Sequence, residues 1–423
     1  MTDVVHAGAK VGYATDDRDF CTGRSQPLLK QFSSAVWATA FATFVAFMGI
    51  GVVDPLLPLI GRAMGASPAE VEWLFTSYIA VMSLAMLVSG VVGTRLGGKK
   101  TLLLGLGLVV VFATLSGLSP SIGFLALVRG GWGLGNAFFT STALSIIVGV
   151  TSGGIGPAIT LYEAALGLGI ASGPLLGGFL GSYWWRYPFF GTATLMAIGF
   201  LATLTWVKEP PRRESPRTAR DIFRALGYRP VLVNALIGLC YSYAFFTILA
   251  YSPLTLPHVS ALSLGITYFF WGLLVAFASV VVVNQLVRRV NPVRILMINL
   301  GLLTILLILA GWLPRRDLLL IIVATGFFCG ISNALFTTLA MAVSPFPRSL
   351  SSGAYNFLRW AGAAIAPALS GWIGDRVGLT VPFFIAAGML VGGTVALIPA
   401  ARILLPALTA HADTGGGHEV KTQ

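Results

Sequence analysis

Charge is scarce in this sequence. Of 423 residues only 10% are Asp, Glu, Lys or Arg, against 56% hydrophobic, and the mean hydropathy is +0.85. A soluble domain carries about 25% charged residues, so the chain lacks the charge to cover the two or three soluble domains its length would allow. Histidine is rarer still. His6, His258, His411 and His418 all fall in loops or tails. No HExxH pair and no Ser/His or paired-Asp constellation stands within an apolar run, which leaves an intramembrane enzyme without its chemistry. The three cysteines, Cys21, Cys240 and Cys329, are scattered without metal-ligand spacing and argue for neither a disulfide framework nor a redox site. There is no GxxxxGK[ST] loop, so ATP drive from this chain has no motif to rest on. The first 33 residues hold no apolar core before a cleavage site, and no cleaved signal peptide is expected.

What the sequence does have is a succession of apolar runs, each near the roughly 20 residues that a bilayer-spanning helix needs. Twelve spans are expected, at 35–60, 70–93, 101–119, 122–148, 156–182, 187–207, 230–254, 264–286, 293–312, 318–343, 349–373 and 380–404. Helices are required because every backbone polar group in lipid must be satisfied internally; barrel strands would be shorter and would alternate polar with apolar residues. With the N-terminus placed in the cytoplasm, twenty Lys and Arg collect on that side and five, Arg62, Arg186, Arg315, Arg316 and Arg376, on the other. This is the positive-inside asymmetry. It puts both termini in the cytoplasm, fits a multi-pass protein of the cell (inner or plasma) membrane, and accounts for the net charge of +12 without a nucleic-acid partner. The Lys/Arg-poor side is called outer below.

The longest charged interruption, residues 207–230, divides the chain into six spans and six. The expected organisation is a cytoplasmic segment 1–34, a bundle 35–207, a linker 208–229, a second bundle 230–405 and a cytoplasmic tail 406–423. Within the linker Ile222, Phe223 and Leu226 share a helical face, which fits either a short helix on the inner membrane surface or a solvated connection. The halves repeat one another. LYEAALGLGIASGPLLGGFLG (161–181) aligns with AYNFLRWAGAAIAPALSGWIG (354–374) at a constant offset of 193, pairing Pro174 with Pro367 and Gly178 with Gly371. GNAFFTSTA (135–143) resembles SNALFTTLA (332–340), pairing Asn136 with Asn333, and DPL (54–56) resembles SPL (252–254). Duplicated six-span units are how secondary transporters build a site between two halves.

Gly169, Gly173, Pro174, Gly177 and Gly178 spell G-x-x-x-G-P-x-x-G-G in the fifth span. This resembles the signature of the drug:proton antiporters of the major facilitator superfamily, and the likeness extends to the number, order and topology of the spans. It implies the major facilitator fold, all-α with twelve transmembrane helices in two pseudo-symmetric halves. It also implies alternating access powered by a proton gradient with no bound cofactor, and a motif that seals the outer interface and favours export. Physically, glycines four apart let helices approach closely in lipid and Pro174 removes one backbone hydrogen bond; packing alone would also explain them. The stretch GVVGTRLGGKK (90–100) resembles the family's loop motif through Gly90, Arg95, Gly97 and Lys99. Thr94 stands where the family has an acid that helps latch the inner side, so that latch is weaker here or is built from other residues. In the fourth span Arg129 and Gly133 match the family's R-x-x-Q-G, with Trp132 replacing Gln.

Charges inside spans narrow the site. Asp54 and Glu163 are the two acids expected well inside, and Arg129 and Arg359 the two bases; Glu70 and Glu72 are expected at the interface. Arg129 sits about 10 Å below the outer surface at 1.5 Å per residue, as either a functional charge or a base that snorkels outward. Asp54, at similar depth, is the first candidate proton carrier, with Arg129 tuning it. Ahead of Pro55, it could instead bond freed backbone groups or recognise a cation directly. Glu163 either carries a second proton, helps bind cations, or bonds within the bundle. Asn136 and Asn333, a repeated polar pair in lipid, need partners and are expected to line the cavity. Tyr243, Phe336, Tyr355, Arg359 and Trp360 complete the substrate candidates, since aromatic faces attract flat lipophilic cations. These readings converge on a monomeric, proton-coupled exporter of lipophilic, amphipathic or cationic small molecules. A lipid, lipid-linked sugar or metabolite exporter or flippase on the same fold is the alternative.

Overall fold

The computed structural model describes residues 33–150, 155–209, 219–346 and 348–415, and every regular element among them is helical. Ten helices are long and apolar enough to cross a membrane: Ser34–Met64, Pro68–Ser89, Gly98–Gly117, Ala164–Gly181, Tyr187–Trp206, Arg229–Thr255, Ala261–Leu286, Pro292–Trp312, Asp317–Ala342 and Val381–Ala407. Two further helices of 29 residues, Ile122–Val150 and Arg348–Arg376, stand where the fourth and eleventh spans are expected. They are not among the ten, and each is diluted by polar residues in its interior, Arg129 and Asn136 in one, Asn356 and Arg359 in the other. Large apolar side chains such as Leu84, Leu127, Leu201 and Leu320 face outward, 58–75% exposed, as a lipid-facing surface requires.

Proline decides where helices break. The first span is α-helical over Ser34–Gly51, turns, forms a 3₁₀ segment over Asp54–Leu56 and resumes over Leu57–Met64. Pro55 and Pro58 lack the amide hydrogens that a continuous helix would use. The seventh span repeats the device: α-helix Arg229–Phe246, a π segment Thr247–Tyr251 and a 3₁₀ segment Ser252–Thr255 that contains Pro253. DPL and SPL thus occupy the same irregular geometry. Pro174 and Pro367, in contrast, lie inside continuous helices, Ile155–Gly181 and Arg348–Arg376. The twelfth helix runs on to Gly415, past its expected end at 404.

The packing follows the repeat. In the first half the first span packs on the fifth and sixth, and the fourth on the second and third; in the second half the seventh packs on the eleventh and twelfth, and the tenth on the eighth and ninth. The halves meet along two related seams, second against eleventh and fifth against eighth. Thr76 Oγ1 donates to the Ala364 carbonyl (3.2 Å) and Ser83 Oγ to that of Phe357 (3.4 Å) along the first seam. At the outer end, Arg62 reaches the Pro257 carbonyl and the Ala69 amide donates to Asp375 (3.1 Å), so the outer side is closed across both halves. The linker contributes a short helix, Ala219–Leu226, seated on the eleventh span with Phe223 edge-on to Phe357 at 5.9 Å; the stretch 210–218 lies outside the described residues.

Candidate transport site

The break in the first span places Asp54 in the interior of the protein. Its carboxylate is fully buried, and neither oxygen has a hydrogen-bond partner in another residue. Arg129, on the fourth span, is also fully buried and does not snorkel. Its guanidinium lies between two rings, 4.4 Å from the centroid of Tyr78 and 4.7 Å from that of Trp132, and Nε donates to the Leu74 carbonyl (3.4 Å). Nη1 and Nη2 have no hydrogen-bond partner, and Asp54 lies within electrostatic reach rather than in direct contact. Trp132 at the family's Gln position therefore acts as the lower wall of a cation–π slot.

One sequence expectation needs correction. Glu72 was expected at the membrane interface, and it is instead fully buried, both oxygens without a hydrogen-bond partner and within electrostatic reach of Asp54. The neighbouring Glu70 does lie at the surface, where it closes a capping box with Ser67. Two residues further along a helix is about half a turn, which is enough to swing one glutamate into the protein while the other stays in water. Helical phase relative to the capping Ser67 was the signal that could have found Glu72.

The remaining candidates separate into groups. Asn136 donates to the Tyr78 hydroxyl and the Ala46 carbonyl, tying the fourth span to the second and first beside Arg129. Asn333 accepts from Arg359 Nη2 at 2.7 Å, and Arg359 lies 5.3 Å from the ring centroid of Trp360. Phe336 is stacked on Tyr241, ring centroids 5.5 Å apart, and both are fully buried. Tyr355 is buried against Gly238, and Tyr243 is buried in the same half. Asn136 and Asn333, the repeated polar pair, each have partners, in two clusters, one in each half. Glu163 lies on the fifth span, and its side chain falls outside the described residues, as do that of Thr94 and the surroundings of Gly90.

The glycine motif divides its work. A Cβ at Gly169, Gly173 or Gly177 would run into the backbone carbonyl of Phe44, Met48 or Val52, all on the first span of the same half. At Gly178 it would meet Ala261 and Gly265 across the seam. In the loop motif, Gly97 has a φ of 91° that side chains rarely adopt, and the Glu209 carboxylate fills the space over it, accepting from the Lys99 amide (3.1 Å). Lys99 Nζ donates to the Leu204 carbonyl (2.9 Å), while Arg95 is exposed. Glu209, from the end of the sixth span, supplies a carboxylate at this loop, which sequence reasoning missed because it is distant in the chain.

Residues 39–366 match the family model described as Major Facilitator Superfamily. The chain belongs to that superfamily. It is therefore a multi-pass membrane transporter of small molecules and not an enzyme. Among curated relatives, the multidrug efflux protein YfmO of Bacillus subtilis (strain 168) is 43% identical over 366 residues, covering 86% of this chain and 92% of that one. Multidrug resistance protein 1 of the same organism is 22% identical, over 83% and 92%. Among solved structures, a D-xylose-proton symporter superposes with a TM-score of 0.71 at 13% identity, covering 88% of this chain and 97% of that one. A bacterial homologue of the lysosomal transporter Spinster, inward-facing and occupied, gives 0.69 at 17% identity, over 92% and 98%. These superfamily structures share its fold.

Proposed function

We propose that this transporter exports lipophilic, amphipathic or cationic small molecules in exchange for protons, working as a monomer in the cell membrane with both termini in the cytoplasm. The observation that carries the reading is Asp54, a carboxylate fully buried without a hydrogen-bond partner in another residue, at the break of the first span. An ionised carboxylate taken out of water costs several kcal/mol unless it is paired. Protonation removes that cost, and so does a cationic substrate. The two therefore compete for one site, which is the requirement for antiport. Arg129, held between Tyr78 and Trp132, sets the local field and favours the return of Asp54 to its charged form once water reaches it. The names of the efflux relatives point the same way. The Asn333–Arg359–Trp360 cluster is the counterpart surface in the second half, where aromatic faces would receive the apolar body of a substrate. Glu163 is retained as a second carrier.

The test is transport in liposomes. Purified protein under an imposed pH gradient should accumulate ethidium, and Asp54→Asn, folded as judged by size-exclusion chromatography, should not. Persistent transport in the variant would move coupling to Glu163, examined in turn as Glu163→Gln. Arg359, whose Nη2 donates to the neutral Asn333, favours a second reading in which the cargo is an anionic lipid or metabolite. Folded protein that moves no cation but scrambles or exports an anionic lipid would establish that alternative.

A further inference from the structure

Glu72 is the buried acid that the mechanism above does not use. It lies on the second span, five residues beyond the capping Ser67, with its Cβ and Cγ against Gly371 of the eleventh span. A Cβ built on Gly371 would stand 2.9 Å from both Ala69 Cα and Glu72 Cγ, so the two halves approach closely here on the outer part of that seam. The groups facing it are Asp54 on the first span, Tyr251 on the seventh and Tyr268 on the eighth, all within electrostatic reach. Near the same seam Asp375 of the eleventh span accepts from the Ala69 amide, Arg129 lies behind Asp54, and Arg315 acts on Tyr251 from the tenth. On its own helix Glu70 points to water. Neither tyrosine hydroxyl is bonded to Glu72: that of Tyr251 donates to the Leu379 carbonyl (3.0 Å), and that of Tyr268 is shared with Ser252 and the Ile248 carbonyl.

A carboxylate here would be fully desolvated next to a second acid and with no cation in contact. The closed seam can hold a neutral carboxylic acid but not the ion. We propose that Glu72 is a proton-binding latch at the outer contact between the halves: the contact closes when Glu72 is protonated and opens when it loses the proton to outer water. This deepens the antiport reading, because it ties closure of the outer side to uptake of a proton from that side. Closing the seam with Glu72 ionised would bury an unpaired charge, so an empty, unprotonated carrier is kept from returning. Asp54 competes with substrate; Glu72 gates the seam.

The experiment needs neither substrate nor gradient, so its failure is separable from failure of the transport test on Asp54. Spin labels are placed at Ser121 and His258, exposed positions toward the outer ends of the two halves, in protein whose native cysteines are replaced by serine. Distances are measured in lipid nanodiscs at about pH 4 and about pH 9, which bracket ordinary glutamate titration at about 4.3 with room above it for a buried acid. The latch predicts a longer-distance population at the higher pH, lost in Glu72→Gln, which should stay closed at both. Glu72→Asp should restore the pH-dependent population, and Asp54→Asn should retain it. Glu72→Gln distances that lengthen with pH as the parent's do, or a parent that shows no shift at all, would overturn the proposal.

Discussion

The two halves share one design and differ in where they keep charge. The offset of 193 that pairs Gly178 with Gly371 also pairs Tyr78 with Trp271 and Glu72 with Gly265. In the first half a guanidinium lies over Tyr78; in the second, Trp271 packs against Gly326, the counterpart of Arg129, and its Nε1 donates to Thr325 (3.2 Å). Asp54 has no hydrogen-bond partner in another residue, whereas its counterpart Ser252 bonds both Tyr268 and the Ile248 carbonyl. At the seams, Gly178 meets Gly265 but Gly371 meets Glu72. At these places the polar groups of the second half are satisfied. The first half holds the two buried acids without a hydrogen-bond partner, Asp54 and Glu72, while the second keeps the charge of Arg359, whose Nη2 is bonded to Asn333 and whose Nε is not bonded. A buried polar group without a partner costs about 1–3 kcal/mol, and a fold keeps such costs where function needs a group that changes state. Under the proposed antiport, the comparison points to the first half as the place to look for coupling.

The sharpest way to break it is to import the second half's residue. Asp54→Ser should reduce gradient-driven ethidium transport in liposomes to background while leaving the protein folded, because serine fits the same 3₁₀ geometry at Ser252. Transport that survives would show that the asymmetry of charge is structural only.

The second test concerns packing. Gly177 has Ser370 as its counterpart at the same offset, yet a Cβ at 177 would strike the Val52 carbonyl. Gly177→Ser should lower stability by about 1–3 kcal/mol through overpacking, read as a drop in the thermal midpoint of the purified protein. Gly167→Ala, whose new methyl would find Ala276 Cβ at 3.7 Å, should be neutral or stabilising by up to about 1 kcal/mol. Equal effects at both positions would remove the claim that the motif works by close approach of the first and fifth spans.

How far the sequence reaches follows the same division. Spans, repeat and glycine motif were legible because each is written locally, in runs of apolar residues, a constant offset and a fixed spacing. Asp54 and Arg129 stood out because charge is rare in lipid. Glu72 did not, since its burial depends on which way the second span turns after Ser67 and on a glycine about three hundred residues away. Asn136 and Asn333 looked like one repeated feature, but the residues that meet them, Tyr78 and Arg359, differ between halves and so do their roles.

Arg129→Lys tests whether the slot between Tyr78 and Trp132 needs a flat cation. Lysine keeps the charge but not the planar stacking, and the loss should be about 1–2 kcal/mol for a desolvated site. The expected outcome is a lower thermal midpoint with gradient-driven transport slowed but not abolished. Unchanged stability would mean that the rings wall off the site without binding the guanidinium.

The smallest effect belongs to the inner loop. Glu209 approaches the N-terminus of the third span over Gly97, where the Lys99 amide needs an acceptor and the helix dipole favours negative charge. The glutamate is exposed, so Glu209→Gln should cost only a few tenths of a kcal/mol, while Glu209→Ala, which removes the acceptor as well, should cost more. Gly97→Ala should be worse than either, since it combines a strained φ of 91° with a clash against that carboxylate. In the double variant Gly97→Ala, Glu209→Ala the clash is gone and only the strain remains, so its penalty should fall below the sum of the single penalties. Strict additivity in thermal midpoint would show that Glu209 does not touch this loop, and the search for a substitute for the motif's missing acid at Thr94 would move elsewhere.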